Sequence, residues 1–433
     1  MCRGFDSLSV HQVFGFRLQG LFYLPIDPVY AYPAYLLQQD CSCDAPREQL
    51  PSRGMNITTD STQEAWHRLD DPGSYEWWYF DAEDEAQGIS VVVIWFAGFA
   101  FSPFYMRHYE EWRSRSRQDS PSPGQYSGFS FQLYENGREV VNFIREGCDG
   151  EFDVDPAGPG ARFEKNSFRY DRLKDEYCLT IDFPFPARKR HVRGSFTFRP
   201  RHRYEYHREY DCLKDRGHLH QWLLSVPKAE VEGEILVDGL STGDRSVFKL
   251  RGRGYHDHNL GSMPMHEYFG RWYWGRAFAG RFDLVYYIIY FRKRSCTPLA
   301  VVMLNDNETG KQQIMEQVQF REEQFKRGIF APVHGRKLRM EEGEVSVDVS
   351  HRQVLDSGPF YLRFASDITL RVNGDRFDGI GGISEYLDPS ALQSPFMRYF
   401  TACRIWRDGE ASGMYRYYNY FRHQFDWLNR KKF

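Results

Sequence analysis
The 433-residue chain lacks several features that would assign it to a common class. No apolar run reaches the roughly 18 residues that a membrane-crossing helix needs. The best, Ile89 to Phe101, holds thirteen uncharged residues and reads as a buried strand and turn. The N-terminus has no basic–apolar–small secretory pattern, since Arg3 and Asp6 precede any sustained apolar segment. Basic excess is missing: 56 Lys and Arg against 59 Asp and Glu leave a net charge of −3. Such a balance cannot neutralise a nucleic-acid backbone, so no nucleic-acid partner is expected. The run Arg188-Lys189-Arg190 is short and reads as a solvated turn. The eight Cys are scattered, which suits a reducing compartment better than a disulfide framework. Cys41 and Cys43 have no second pair at zinc-like spacing. No Gly-x-Gly-x-x-Gly follows a strand, and there is neither a Walker loop nor a Gly-x-Ser-x-Gly elbow. Helical periodicity is scarce, with Phe104 to Trp112 and Phe396 to Trp406 the two candidates.

Aromatic residues are abundant instead: 35 Phe, 28 Tyr and 10 Trp, or 17% of the chain. Rings and β-branched residues favour strands, and flat rings favour pockets for flat or long ligands. From about residue 66 the chain reads as many short strands. Ile89 to Phe96 is apolar enough for burial on both faces. Phe129 to Tyr134 and Val140 to Ile144 flank Asn136-Gly137, a strong hairpin signal, and Asn373-Gly374 ends another strand. This grammar predicts an all-β protein of two sandwiches or barrels with few short helices. Residues 1–60 read as an extension, partly disordered or lying against the body, with aromatic and proline-punctuated residues 14–35. The expected domains are 61–264 and 265–433, divided near 262–268.

Chemistry concentrates in Gly252 to Gly261, where Tyr255, His256, Asp257, His258 and Asn259 are consecutive. On a strand their side chains alternate faces. Strict alternation puts His256 and His258 with Phe248 and Leu250, and Tyr255, Asp257 and Asn259 opposite. A bulge at Gly252 or Gly254 would shift that register. Two chemical readings follow. In one, Asp257 faces an apolar pocket, where full burial can raise an acid by up to about 3–5 pKa units, so that it can protonate an alkene. Tyr255, Asn259 and the two His would then orient it or hold water. In the other, His256 and His258 join His218 and His220 around a metal. Against both stands an ordinary structural role for these imidazoles. Glu76, Trp77, Trp78 and Tyr79, with Trp222, Trp272, Tyr273 and Trp274, are candidates to line a long apolar slot. Rings there could steady a carbocation, although alternation leaves at least one member of each Trp pair to core packing.

Three motifs together, Tyr75-Glu76-Trp77-Trp78-Tyr79-Phe80, Gly254 to Gly261 and Trp272-Tyr273-Trp274-Gly275-Arg276, resemble the acyclic carotenoid 1,2-hydratase (hydroxyneurosporene synthase) family. The similarity spans about residues 66 to 425. It implies a two-domain, lipocalin-like pair of antiparallel β-barrels. It also implies cofactor-free, metal-free addition of water to the terminal C1–C2 double bond of acyclic carotenoids such as neurosporene and lycopene. The family's acid falls on Asp257, with Tyr255 in the same motif. A lipid substrate implies a cytoplasmic protein peripheral to the inner or photosynthetic membrane. The alternative is a lipocalin-like carrier or pericyclase acting on another polyene or lipid, because the same fold group also holds pericyclases and members with no assigned activity.

Overall fold
The computed structural model describes residues 51–408, apart from the short stretches 148–149, 156–157, 187–188, 215–216, 241–242 and 329–330, together with Tyr415, Tyr417 and Tyr418. The expectations for residues 14–35, for Cys41 and Cys43, for the first 50 residues of the extension and for Arg188 fall outside the described residues.

Twenty-three strands form two sheets, and two α-helices accompany them among the described residues. Fourteen strands belong to the first sheet: the thirteen from Gly54–Thr58 to Arg245–Gly261, and Ile405–Trp406. Residues 54–58, read as part of the extension from sequence, are therefore a buried strand, parallel to Leu219–Gly239. Nine strands between Phe269 and Leu387 make the second, wholly antiparallel sheet. The chain passes from one sheet to the other over residues 262–268, through a single 3₁₀ turn at Met265–Glu267.

Each sheet curls around its own core. Phe143 stacks on Phe183 with ring centroids 4.7 Å apart, although six strands lie between theirs in the first sheet. Tyr290 meets Phe320 at 5.7 Å across five intervening strands of the second. A twisted antiparallel sheet of this many strands must close on itself to bury one face. The all-β expectation thus holds, as two curled half-barrels.

A third apolar cluster lies between the two sheets and takes residues from both, including Trp77, Trp222 and Tyr255 from one and Trp272, Trp274 and Tyr287 from the other. The strand Ile89–Ala97 shows why its sequence is apolar throughout. Val91, Val93 and Trp95 fill the first barrel, while Val92 and Phe96 face the shared cluster. Both Asn-Gly hairpins form, with positive φ at Asn136 and Gly137 (51° and 69°) and at Asn373 and Gly374 (52° and 90°), as the favoured two-residue turn requires.

The first helix candidate appears as Pro103–Arg113, started by Pro103 and capped by the Ser102 side chain, which accepts from the amides of Phe104 and Tyr105. The second is shorter than its pattern suggests. Pro395–Ala402 is helical, but Ile405–Trp406 is a strand, paired in parallel with Ile144 and Arg145. A β-branched and an aromatic residue beside an open sheet edge gain more from pairing than from another helical turn.

A buried ionic cluster joins the sheets. Arg276 donates to Asp81 (2.7 Å) and Glu83 (2.9 Å). Arg363 donates to Asp81 (3.1 Å) and pairs with Glu385. Both guanidiniums are almost fully buried, and the surrounding carboxylates hold them firmly protonated.

Candidate active site
The strand Arg245–Gly261 pairs with Tyr75–Asp84 without a slip from Arg253↔Glu83 to Gly261↔Tyr75. Strict alternation therefore survives in the stretch that carries the chemistry. The bulges lie in its pairing with Leu219–Gly239, between Leu223 and Val226 and between Val226 and Ala229. The glycines serve close approach instead. A Cβ on Gly252 would sit 1.9 Å from the Glu83 carbonyl oxygen, and one on Gly254 would sit 2.6 Å from Phe198 and Val231.

Tyr255, Asp257 and Asn259 consequently face the space between the sheets. Asp257 Oδ2 accepts from the Trp222 indole N–H (2.9 Å) and the Tyr255 hydroxyl (2.8 Å), and Oδ1 accepts from the Asn259 amide (3.1 Å). Trp274 in turn donates to the Tyr255 oxygen (3.1 Å). Asp257 is 6% exposed. Burial pushes its carboxyl up to about 7 against the pull of the Trp222 and Tyr255 hydrogen bonds.

Asp257 and Asn259 line a cavity with about 990 Å³ of empty space, its opening included. The other walls are mostly rings: Trp77, Tyr79, Phe96, Phe99, Phe101, Trp222, Trp272, Trp274, Tyr287, Phe360 and Tyr361. Of the residues singled out from sequence, Asp257, Asn259, Trp77, Tyr79, Trp222, Trp272 and Trp274 reach this cavity, and Tyr255 supports Asp257 from just behind it.

Five do not reach it: His256, His258, Glu76, Trp78 and Tyr273 all point into a barrel. His256 stacks on Phe80 at 3.8 Å, pairs with Glu64 and lies 2.9 Å from the Tyr79 carbonyl. Trp78 stacks on His258 at 4.6 Å. Tyr273 donates to Glu322 (2.7 Å) inside the second sheet. The reason is the two-residue period: neighbours in a dense motif must face opposite ways.

The four-imidazole metal arrangement is not assembled either. His220, with its Nδ1 2.7 Å from the Tyr75 hydroxyl, belongs with the residues between the sheets, where desolvation lowers it to about 3. His256 and His258 lie on the opposite face. A different group gathers potential ligands: His67 Nδ1 and His258 Nε2 each lie 2.9 Å from Glu76 Oε1. Those spacings are those of hydrogen bonds from two imidazoles to one carboxylate.

Sequence reading missed the polar lining contributed by distant strands: Glu385, Gln132, Asp356 and Arg404. Glu385 carried a signal. It shares one face of its strand with Ile383 and Leu387, and an acid on an apolar face calls for an explanation.

Residues 165–412 match the family described as "Carotenoid hydratase CrtC". The chain belongs to the carotenoid hydratase family. A Chlorobaculum tepidum protein named hydroxyneurosporene dehydrogenase is 56% identical over 382 residues, covering 88% of this chain and 100% of that one. An acyclic carotenoid 1,2-hydratase from Rubrivivax gelatinosus is 25% identical over 309 residues, or 67% of this chain and 64% of its own length. Among solved structures, CghA with Sch210972 shares the fold with a TM-score of 0.53 at 14% identity, over 74% of this chain and 89% of that one. Membership of the carotenoid hydratase family makes this chain an enzyme, with hydration of carotenoids as the family's activity. No helix among the described residues is long and apolar enough to cross a membrane.

Proposed function
We propose that this enzyme adds water across the terminal C1–C2 double bond of an acyclic carotenoid such as lycopene or neurosporene, with Asp257 as the acid. The observation that carries the reading is a buried carboxyl, pushed up to about 7, at the wall of a ring-lined cavity. Both hydrogen-bond donors at Oδ2 occupy that oxygen, so the proton rides on Oδ1. Oδ1 gives this proton to C2, and positive charge develops on the tertiary C1. Trp77, Trp272 and Trp274 line the same cavity, and a ring face beside such a charge is worth about 0.5–2 kcal/mol. As the carboxylate forms, Trp222, Tyr255 and Asn259 stabilise it more strongly than they did the neutral acid. Interactions that strengthen along the reaction lower its barrier. No cofactor enters this scheme, and activity is expected to persist in chelated, metal-free protein. The apolar slot takes its substrate from a lipid phase, so peripheral contact with a membrane surface belongs to the same reading.

Incubation with lycopene and neurosporene, followed by product analysis, tests it. Wild-type protein should yield a more polar 1-hydroxy carotenoid with one double bond fewer, C1=C2, and an unchanged conjugated chromophore. Folded Asp257→Asn should lose about 10²–10⁴-fold in rate. Unaltered pigment with wild-type protein would mark a carrier, and a product with one more double bond would mark a dehydrogenase.

A further inference from the structure
Hydration needs two proton movements: one onto carbon and one off the attacking water. Asp257 supplies only the first. The cavity holds another carboxylate in position for the second. Glu385 comes from the second sheet, on the strand Asp375–Leu387, directly opposite Trp274 in the pairing. Directly paired residues share a face, with side chains within contact distance. Trp274 hydrogen-bonds to Tyr255, and Tyr255 to Asp257, so Glu385 stands one ring away from the group that holds the acid.

The two carboxyls are held differently. Asp257 receives hydrogen bonds only from neutral groups. Glu385 is paired with the Arg363 guanidinium, and its Oε1 also accepts from Tyr79 (3.0 Å) and Tyr361 (2.8 Å). Oε2 has no protein donor among the described residues, and Glu385 lines the cavity. Two nearby carboxyls resist simultaneous ionisation, and the one beside a fixed cation keeps the charge. Burial is the main cause that raises Asp257, and the Glu385 charge adds to it. Burial raises Glu385 above its usual value as well, although there the Arg363 guanidinium pulls against the rise.

We infer that Glu385 is the general base of the reaction, receiving a proton from the water that captures the C1 cation. This inference rests on the hydratase reading. The π pair of C1=C2 forms a C–H bond with the Asp257 proton. A lone pair on the water oxygen then forms the C1–O bond, while one O–H bond breaks and its proton goes to Glu385 Oε2. Asp257 ends as a carboxylate and Glu385 as an acid. A proton returned from Glu385 to Asp257 through water in the slot restores both, with no oxidant or reductant.

The test is Glu385→Gln in the full-length protein, with lycopene in D₂O. Gln keeps the shape but cannot take a proton. Hydration should fall by about 10²–10⁴-fold in kcat, with KM little changed. The Asp257 acid remains, so the cation still forms and reverts, and recovered lycopene should gain deuterium. Wild-type kcat in the variant overturns the inference. So does loss of deuterium uptake in parallel with hydration, which would make Glu385 a positioning residue for Asp257. Should Gln prevent folding, Glu385→Asp keeps the charge and withdraws the carboxylate by one methylene, and the same split between hydration and exchange is expected. If wild-type protein makes no hydrated carotenoid, the hydratase reading has failed rather than the assignment of the base.

Discussion
At the scale of single residues, the same burial that makes Asp257 useful also costs stability. Its carboxyl moves from an ordinary 3.8 to about 7 in the folded protein. Between those values the folded state binds a proton that the unfolded chain has released. Stability contributed by this group is therefore fully present below pH 3.8, declines as pH rises, and is gone above about 7. One pKa unit corresponds to about 1.4 kcal/mol, so the effect amounts to a few kcal/mol. Glu146, also buried and pushed up to about 7, bends the wild-type curve in the same direction. The difference between wild type and Asp257→Asn isolates Asp257. Asn at this position is expected to be inactive yet more stable at pH 8 than wild type, with the gain shrinking towards pH 4, as read by urea denaturation across pH. Catalysis needs the protonated acid, so wild-type kcat should fall as pH rises through about 7, and a rate still climbing at pH 9 would remove Asp257 from the acid's role.

At the scale of elements, the Asp257 strand is a two-sided device. One face of its alternation holds imidazoles against carboxylates inside the first barrel, and the other presents the acid to the slot. Gly252 and Gly254 let neighbouring strands approach closely enough to keep that alternation in register. Gly252→Ala places a methyl group against a backbone carbonyl that cannot swing away. Overpacking of this kind typically costs about 1–3 kcal/mol. The expected result is a lower melting temperature together with reduced hydration, because the same strand aims Asp257. The strand content, both hairpins and a helix over Phe104 to Trp112 were legible in the sequence, since alternation, Asn-Gly pairs and a 3.6-residue period are local signals. Alternation also separated Tyr255, Asp257 and Asn259 from His256 and His258 correctly, but not which set meets the slot. That depends on which sheet covers which face, a long-range fact. Glu76, Trp78 and Tyr273 sit in ring-rich motifs, yet each is turned away from the slot by its own parity. Glu385 was hidden because its partner Trp274 lies more than a hundred residues earlier.

At the scale of the whole molecule, the two sheets are joined by buried charge as well as by rings. Removing one partner of a buried pair leaves an uncompensated ion, at a typical cost of about 3–5 kcal/mol. Arg363→Met should therefore destabilise the protein by about that much, because Asp81 and Glu385 lose a shared guanidinium. Equilibrium denaturation monitored by Trp fluorescence measures it, and a cost under about 1 kcal/mol would show that the cluster contributes little to holding the sheets. The slot itself lies between two bodies that each close on their own interior. Its walls are the outward faces of strands whose inward faces do the folding. Exchanging ring side chains on the wall, such as Trp77 or Trp272, would thus reshape the space for a greasy guest without touching either barrel's interior.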